Sequence, residues 1–134
     1  MLQVKKRLIL ILVLVFQINI FFLMYVEQGF LYADGGASII SVLTEPEKFK
    51  GSLDDMLDIY LAIEHLKEER PAILRKDFIF DSFQLLEARA YGADSILLIV
   101  AILSPFELKR LIQVCLNIFI YLGKNNLLDY VLIS

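Results

Sequence analysis

One cysteine, one histidine and no basic cluster beyond Lys5, Lys6 and Arg7 remove several function classes from this chain of 134 residues. Cys115 has no second thiol to pair with, which excludes an internal disulfide framework and any metal site built on cysteines. It falls on the apolar stripe of an expected helix and reads as an inert core thiol. His65 sits inside the charged run EHLKEER, where an exposed helix end accounts for it better than a ligand or catalytic role. A net charge of −3 without a basic stripe leaves no electrostatic footprint for nucleic acid. No group of residues has the spacing of metal ligands, and no cofactor is implied.

Apolar residues, by contrast, make up 58% of the chain, and they are unevenly spread. Residues 8–26, LILILVLVFQINIFFLMYV, are interrupted only by Gln17 and Asn19. A basic start followed by an apolar run of this length matches a signal anchor, with Lys5, Lys6 and Arg7 holding the N-terminus on the cytoplasmic side. Phe22, Leu23, Met24 and Tyr25 are all bulky, so no small-residue cleavage site follows. On this reading a membrane is a partner through residues 8–26.

The remainder alternates between strand and helix patterns. ASIISVL (37–43) is a short apolar, β-branched run introduced by Gly35 and Gly36, as expected of a buried parallel strand. Ser52 is placed to cap a helix through about His65, whose stripe is Leu53, Met56, Leu57, Tyr60 and Leu61. The turn EERP leads to a second strand, Ala72–Arg75. Asp81 and Gln84 form a capping box for a helix ending near Tyr91, with Gly92 as its stop. Ser95–Val100 is a third strand. Ser104, Pro105 and Glu107 open a last helix with stripe Leu108, Leu111, Ile112, Cys115, Leu116 and Phe119, and Gly123 is its expected end. Leu127–Ile133 has the composition of a further strand. Units of this kind join by right-handed crossovers into a parallel sheet, and both a doubly wound sheet and a β/α barrel fit them.

Three motifs lie where strand-like runs give way to polar residues: ISVLTEP (40–46), KFKGS (48–52) and LRKDF (74–78). Their order and spacing, with the longer run LRKDFIFDSFQLLEARAYGADSILLIV, resemble indole-3-glycerol-phosphate synthase from about Val26 to Cys115. The connector AIEHLKEERPAILRKDF is similar to that of fungal multifunctional tryptophan-pathway proteins. The resemblance implies α/β architecture as part of a TIM (β/α)8 barrel, about strands 2–4 with their helices, plus an N-terminal apolar helix. It divides the chain into an apolar segment (1–25), a partial barrel (26–122) and a divergent tail (123–134). The implied activity is that of a cytoplasmic carboxy-lyase, which closes a pyrrole ring on 1-(2-carboxyphenylamino)-1-deoxyribulose 5-phosphate with loss of carbon dioxide and water. No metal or other cofactor takes part.

Matched residue by residue, Lys76 falls on the family's general acid, a role that needs an ammonium at a strand end in partly buried surroundings. Phe49 matches the aromatic residue packed on the substrate's anthranilate ring. Gly51 and Ser52 shape its loop, and Phe78 and Leu97 line the same apolar pocket. Other parts of the family's site have no counterpart in this sequence. The first-strand lysine motif is missing, and LNIFIYLGKNNLLDYVLIS stands where a general-base glutamate belongs. The sixth-strand Asn/Arg pair and the glycine-rich phosphate grip are absent too. The abrupt change near residue 26 gives residues 1–25 a second explanation, a gene-model artefact. The implied partners are a sugar-phosphate substrate and the rest of a barrel or other tryptophan-pathway domains. Alternatively, the chain is a membrane-tethered, noncatalytic half-barrel that acts as an interaction module. A different phosphosugar barrel enzyme, such as the neighbouring isomerase of the same pathway, fits less well, because that enzyme's acid–base pair has no match here, whereas LRKDF matches the synthase.

Overall fold

The computed structural model describes residues 19–120 and 131–133. Helix α1 (Asn19–Asp34) leads into β1 (Ile39–Leu43). Then come α2 (Leu53–Ile63), a 3-10 segment (Glu64–Glu69), β2 (Ala72–Lys76), α3 (Ser82–Ala90) and β3 (Ser95–Leu98). A short 3-10 turn (Val100–Ile102), α4 (Pro105–Ile120) and β4 (Val131–Ile133) complete the order. The strands form one parallel sheet in the sequential order β1-β2-β3-β4.

Local sequence explains most of these boundaries. Ser52 Oγ accepts from the N–H of Asp55 at 3.0 Å and starts α2. Asp81 accepts from Phe83 N–H while the Gln84 side chain accepts from Asp81 N–H, the capping box expected for α3. Gly92 ends that helix at φ +90, where a Cβ would also meet the Tyr60 ring at 2.6 Å. Ser104 and Glu107 cap α4 reciprocally, with N–H to carboxylate at 2.9 Å and N–H to hydroxyl at 3.3 Å. The third strand is shorter than its apolar run suggests, because Val100–Ile102 turns into a 3-10 segment in which Val100 and Ile102 are exposed. The second helix likewise stops at Ile63, and Lys67 kinks the connector at φ 53.

Period-2 alternation divides the sheet's side chains between two faces. Register pairs Ile40 with Ile73 and Val42 with Arg75, and Arg75 with Ile96. The apolar members of that face, with Leu98, join Met56, Ile59 and Ile63 of α2, Leu85 and Ala88 of α3, and Leu111 and Cys115 of α4 in one buried cluster. The other face carries Ile39, Ser41 and Leu43 of β1 and Lys76 of β2, all exposed, with Leu97 half-buried and Leu74 and Ser95 buried. Helix α1 packs on α2, with Gly29 buried against Ile59.

The N-terminal side of the sheet is pinned by Arg70. Its guanidinium makes a bidentate pair with Asp94 at 2.6 and 2.8 Å and lies 5.0 Å from the Tyr60 ring centroid. Asp94 also accepts from the N–H of Ile73 at 2.9 Å, so one carboxylate ties the connector to β2.

Cys115 is fully buried, and burial pushes its thiol up to about 12, as an inert core cysteine requires. His65 is exposed in the 3-10 segment, its ring 5.9 Å from that of Phe30. The expected anchor at 8–26 lies outside the described residues as far as Ile18. No described helix is long and apolar enough to cross a membrane. The expected stop at Gly123 also lies outside them. Within the segment set apart as a divergent tail, Val131–Ile133 pair with Ile96–Leu98 as a fourth strand.

Candidate active site

The expected site residues lie at or near the C-terminal ends of the strands. Lys76 is the last residue of β2 and the register partner of Leu43, the last of β1. The Thr44 N–H donates to the Lys76 carbonyl at 3.2 Å and extends the ladder one step further. The Lys76 side chain is exposed and makes no hydrogen bond or ion pair among the described residues. The partial burial expected around it is not present: Lys76 stands on the sheet face opposite the helices, where no described helix packs over it.

Its neighbours Arg75 and Asp77 project the other way and form a buried polar clamp. Arg75 donates to Thr44 Oγ1 (3.1 Å), the Gln84 carbonyl (2.7 Å) and Asp77 Oδ2 (2.9 Å). Thr44 Oγ1 in turn donates to Asp77 Oδ2 at 2.7 Å, and Asp77 Oδ1 accepts from the N–H of Phe78 at 2.8 Å. The clamp joins the ends of β1 and β2 to α3, so the backbone carrying Lys76 and Phe78 is held from behind. Sequence reasoning missed Thr44, Arg75 and Asp77. The available signal was alternation: polar residues on both sides of a strand-end lysine must occupy the opposite face together.

The loop after β1 is shaped by a second set of contacts. The Glu45 carboxylate accepts from the N–H groups of Glu47, Lys48 and Phe49 at 2.7–3.0 Å. Burial alone would raise its affinity for a proton, but these three donors outweigh that and hold it below the usual carboxylate range. Lys50 adopts φ 56, and Gly51 then packs so closely under β1 that a Cβ would overlap the Leu43 carbonyl. This is why glycine occupies the turn in KFKGS. Phe49 is held at the rim, half exposed, with its ring centroid 6.5 Å from that of Phe78.

Of the six expected site residues, the structure puts Phe49 beside Phe78 on the rim that bears Lys76. Gly51 and Ser52 are structural parts of the intervening loop. Leu97 is half-buried in β3, one residue past Ile96, the partner of Arg75, on the same face as Lys76. A cleft of about 180 Å³ lies beside β1 and takes in Phe49 and Gly51, but not Lys76, Phe78 or Leu97. The rim thus presents a primary ammonium and two aromatic rings tilted by 38° to one another.

The family profile described as indole-3-glycerol phosphate synthase matches residues 23–120. The chain belongs to that family. The protein named tryptophan biosynthesis protein TRP1 of Phytophthora nicotianae is 60% identical over 92 residues, 69% of this chain and 17% of its own length. The multifunctional tryptophan biosynthesis protein of Schizosaccharomyces pombe is 60% identical over 84 residues, covering 63% of this chain and 11% of its own. The indole-3-glycerol phosphate synthase of Paenarthrobacter aurescens is 57% identical over 77 residues, 58% of this chain and 26% of its own length. The chain thus spans only between about a tenth and a third of the relatives it matches. The synthase family is a family of (β/α)8 barrels, and the parallel sheet with helices on one face agrees with part of such a barrel.

Proposed function

We propose that residues 26–120 form the general-acid and aromatic-binding part of an indole-3-glycerol-phosphate synthase, equivalent to barrel strands 2–4 and their helices, and that β4 (Val131–Ile133) stands in the place of the fifth strand. Lys76 is the proton donor to the departing oxygen during ring closure and dehydration. Phe49 and Phe78 pack on the anthranilate ring of the sugar-phosphate substrate, and Leu97 lines the same apolar wall. Gly51 and Ser52 set the loop that presents Phe49. The observation that carries this reading is the convergence of Lys76, Phe49 and Phe78 on one strand rim, within a segment 57–60% identical to proteins of this pathway.

Proximity and paired acid–base action supply much of an enzyme's rate, and this sequence offers no partner for Lys76. The first-strand lysine, the fifth-strand glutamate and the phosphate grip are all missing from the residues present. An exposed Lys76 agrees with that: the walls that would desolvate it are not built by these elements. The 134 residues alone are therefore expected not to rescue a synthase-deficient tryptophan auxotroph. The test of the site itself is a chimaera, in which residues 23–120 replace the matching segment of a bacterial synthase. That barrel should support growth, and its Lys76→Ala variant should not. Full turnover by the Lys76→Ala chimaera would remove the proposed acid.

A further inference from the structure

Thr44, the first residue past β1, bonds to three consecutive residues at the end of β2. Its N–H donates to the Lys76 carbonyl at 3.2 Å, and its Oγ1 accepts from Arg75 Nε at 3.1 Å and donates to Asp77 Oδ2 at 2.7 Å. The residue is 4% exposed, so these bonds are made inside the protein, where losing one leaves its partner unsatisfied. Asp77 carries the constraint forward. Its Oδ1 accepts from the Phe78 N–H at 2.8 Å, and the Phe78 carbonyl accepts from Gln84 Nε2 at 3.0 Å. On the other side of Thr44 comes Glu45. Its carboxylate accepts from the Phe49 N–H at 3.0 Å, and its carbonyl accepts from the Gly51 N–H at 3.0 Å. The path Phe49–Glu45–Thr44–Asp77–Phe78 therefore joins the two rings, whose centroids stand at contact distance, through Thr44 at its midpoint.

We propose that Thr44 is a positioning residue of the site, its hydroxyl fastening the loop that carries Phe49 to the strand end that carries Lys76 and Phe78. This rests on the reading of Lys76 as the acid and of the two rings as the aromatic wall. Thr44 does not meet the substrate, since its hydroxyl is turned to Arg75 and Asp77, away from the face that bears Lys76. It acts through the backbone on both sides of the rim. Rate depends steeply on such placement: a displacement of about 1 Å is worth on the order of a hundredfold.

The experiment pairs Thr44→Val, which removes the hydroxyl at nearly constant shape, with Thr44→Ser, which keeps it. In the full chain, nuclear magnetic resonance should show ring-to-ring cross-peaks between Phe49 and Phe78 in the wild type and in Thr44→Ser. Thr44→Val should lose them and shift the signals of both rings while the far-ultraviolet circular dichroism stays unchanged. In the chimaera, Thr44→Val should lower kcat and raise KM together, taking kcat/KM down by about a hundredfold, and Thr44→Ser should recover most of it. A loss of folded enzyme alone would lower the apparent kcat and leave KM where it was. Cross-peaks that survive Thr44→Val, a parent KM in that variant, or no recovery in Thr44→Ser would overturn the proposal. If Thr44→Val does not fold, amide exchange of the wild-type chain decides. The Thr44, Phe49 and Phe78 N–H groups should open as one unit, and a Phe49 amide that exchanges independently of the other two would overturn the link. Full turnover by the Lys76→Ala chimaera defeats the catalytic reading, whereas rings indifferent to the Thr44 hydroxyl defeat this one, so the two failures are told apart.

Discussion

Arg75 and Lys76 are consecutive cations on one strand with opposite fates. Arg75 is 4% exposed and bonded to Thr44, Asp77 and the Gln84 carbonyl, whereas Lys76 stands on the other face without a partner among the described residues. The pleat alone separates them, since neighbouring side chains leave a strand on opposite sides. The polar groups of the helix-covered face hold the strand end, and the exposed face leaves Lys76 without a partner among the described residues. In this arrangement stability and the proposed chemistry occupy adjacent residues without sharing an interaction. Five substitutions or titrations test that division, beginning where the largest loss is expected.

Arg75→Met should cost about 3–5 kcal/mol, because it strands the Asp77 carboxylate in a buried position with only Thr44 and a backbone N–H as donors. Thermal or urea unfolding measures it. A loss below about 1 kcal/mol, within the range of a surface ion pair, would mean that the clamp does not hold the strand end. Gly51→Ala should come next at about 1–3 kcal/mol, since the added methyl overlaps the Leu43 carbonyl and must push the loop away from β1. The same variant should move the Phe49 ring signals, whereas Arg75→Met should move those of Phe78.

The covered face was legible in the sequence except in α2, where Ile59 and Ile63 are buried and Leu61 of the expected stripe is 53% exposed, and the exposed rim was much less so. Stripes such as Leu108, Leu111, Ile112 and Cys115, and caps such as Ser52, Asp81 and Ser104, are local signals, and each element they predict is present with its cap bonds formed. Lys76 and Phe49 stand out as candidates mainly because their motifs resemble a family's, with a strand-end position adding to the case for Lys76. Their spacing alone gave no reason to bring residue 49 to residue 78. The Thr44–Arg75–Asp77 clamp joins residues 31 apart in the chain, which no periodicity reports. The strand at Val131–Ile133 was visible as composition, but its place beside β3 depends on pairing rather than on any local pattern.

Ser52→Ala removes the cap of α2 and should cost about 1 kcal/mol, with no effect on the Arg75 clamp. Acid should have a smaller and more local effect through Glu45. A carboxylate held below its usual range stabilises the fold above the unfolded value, near pH 4.3, and that contribution is lost as pH falls through the lower folded value. Below about pH 4.3 the Phe49 ring signals should therefore shift toward those of a mobile loop, before the far-ultraviolet circular dichroism of the core is lost. If both changes come together, the loop and the core unfold as one unit, and Glu45 has no separate role in placing Phe49.

Lys76→Ala should change stability least of all, within about 0.5 kcal/mol, because an exposed side chain with no partner leaves nothing unsatisfied behind. This near-zero value sharpens the contrast with Arg75 more than any large loss does. Two residues of similar charge, joined by one peptide bond, would then differ by several kcal/mol for a reason visible in their contacts. In the chimaeric barrel the order should invert, with Lys76→Ala abolishing turnover while unfolding at the parent temperature. A destabilisation near that of Arg75→Met would show that Lys76 is bound into the sheet's own structure, and a side chain so engaged is not free to meet a substrate.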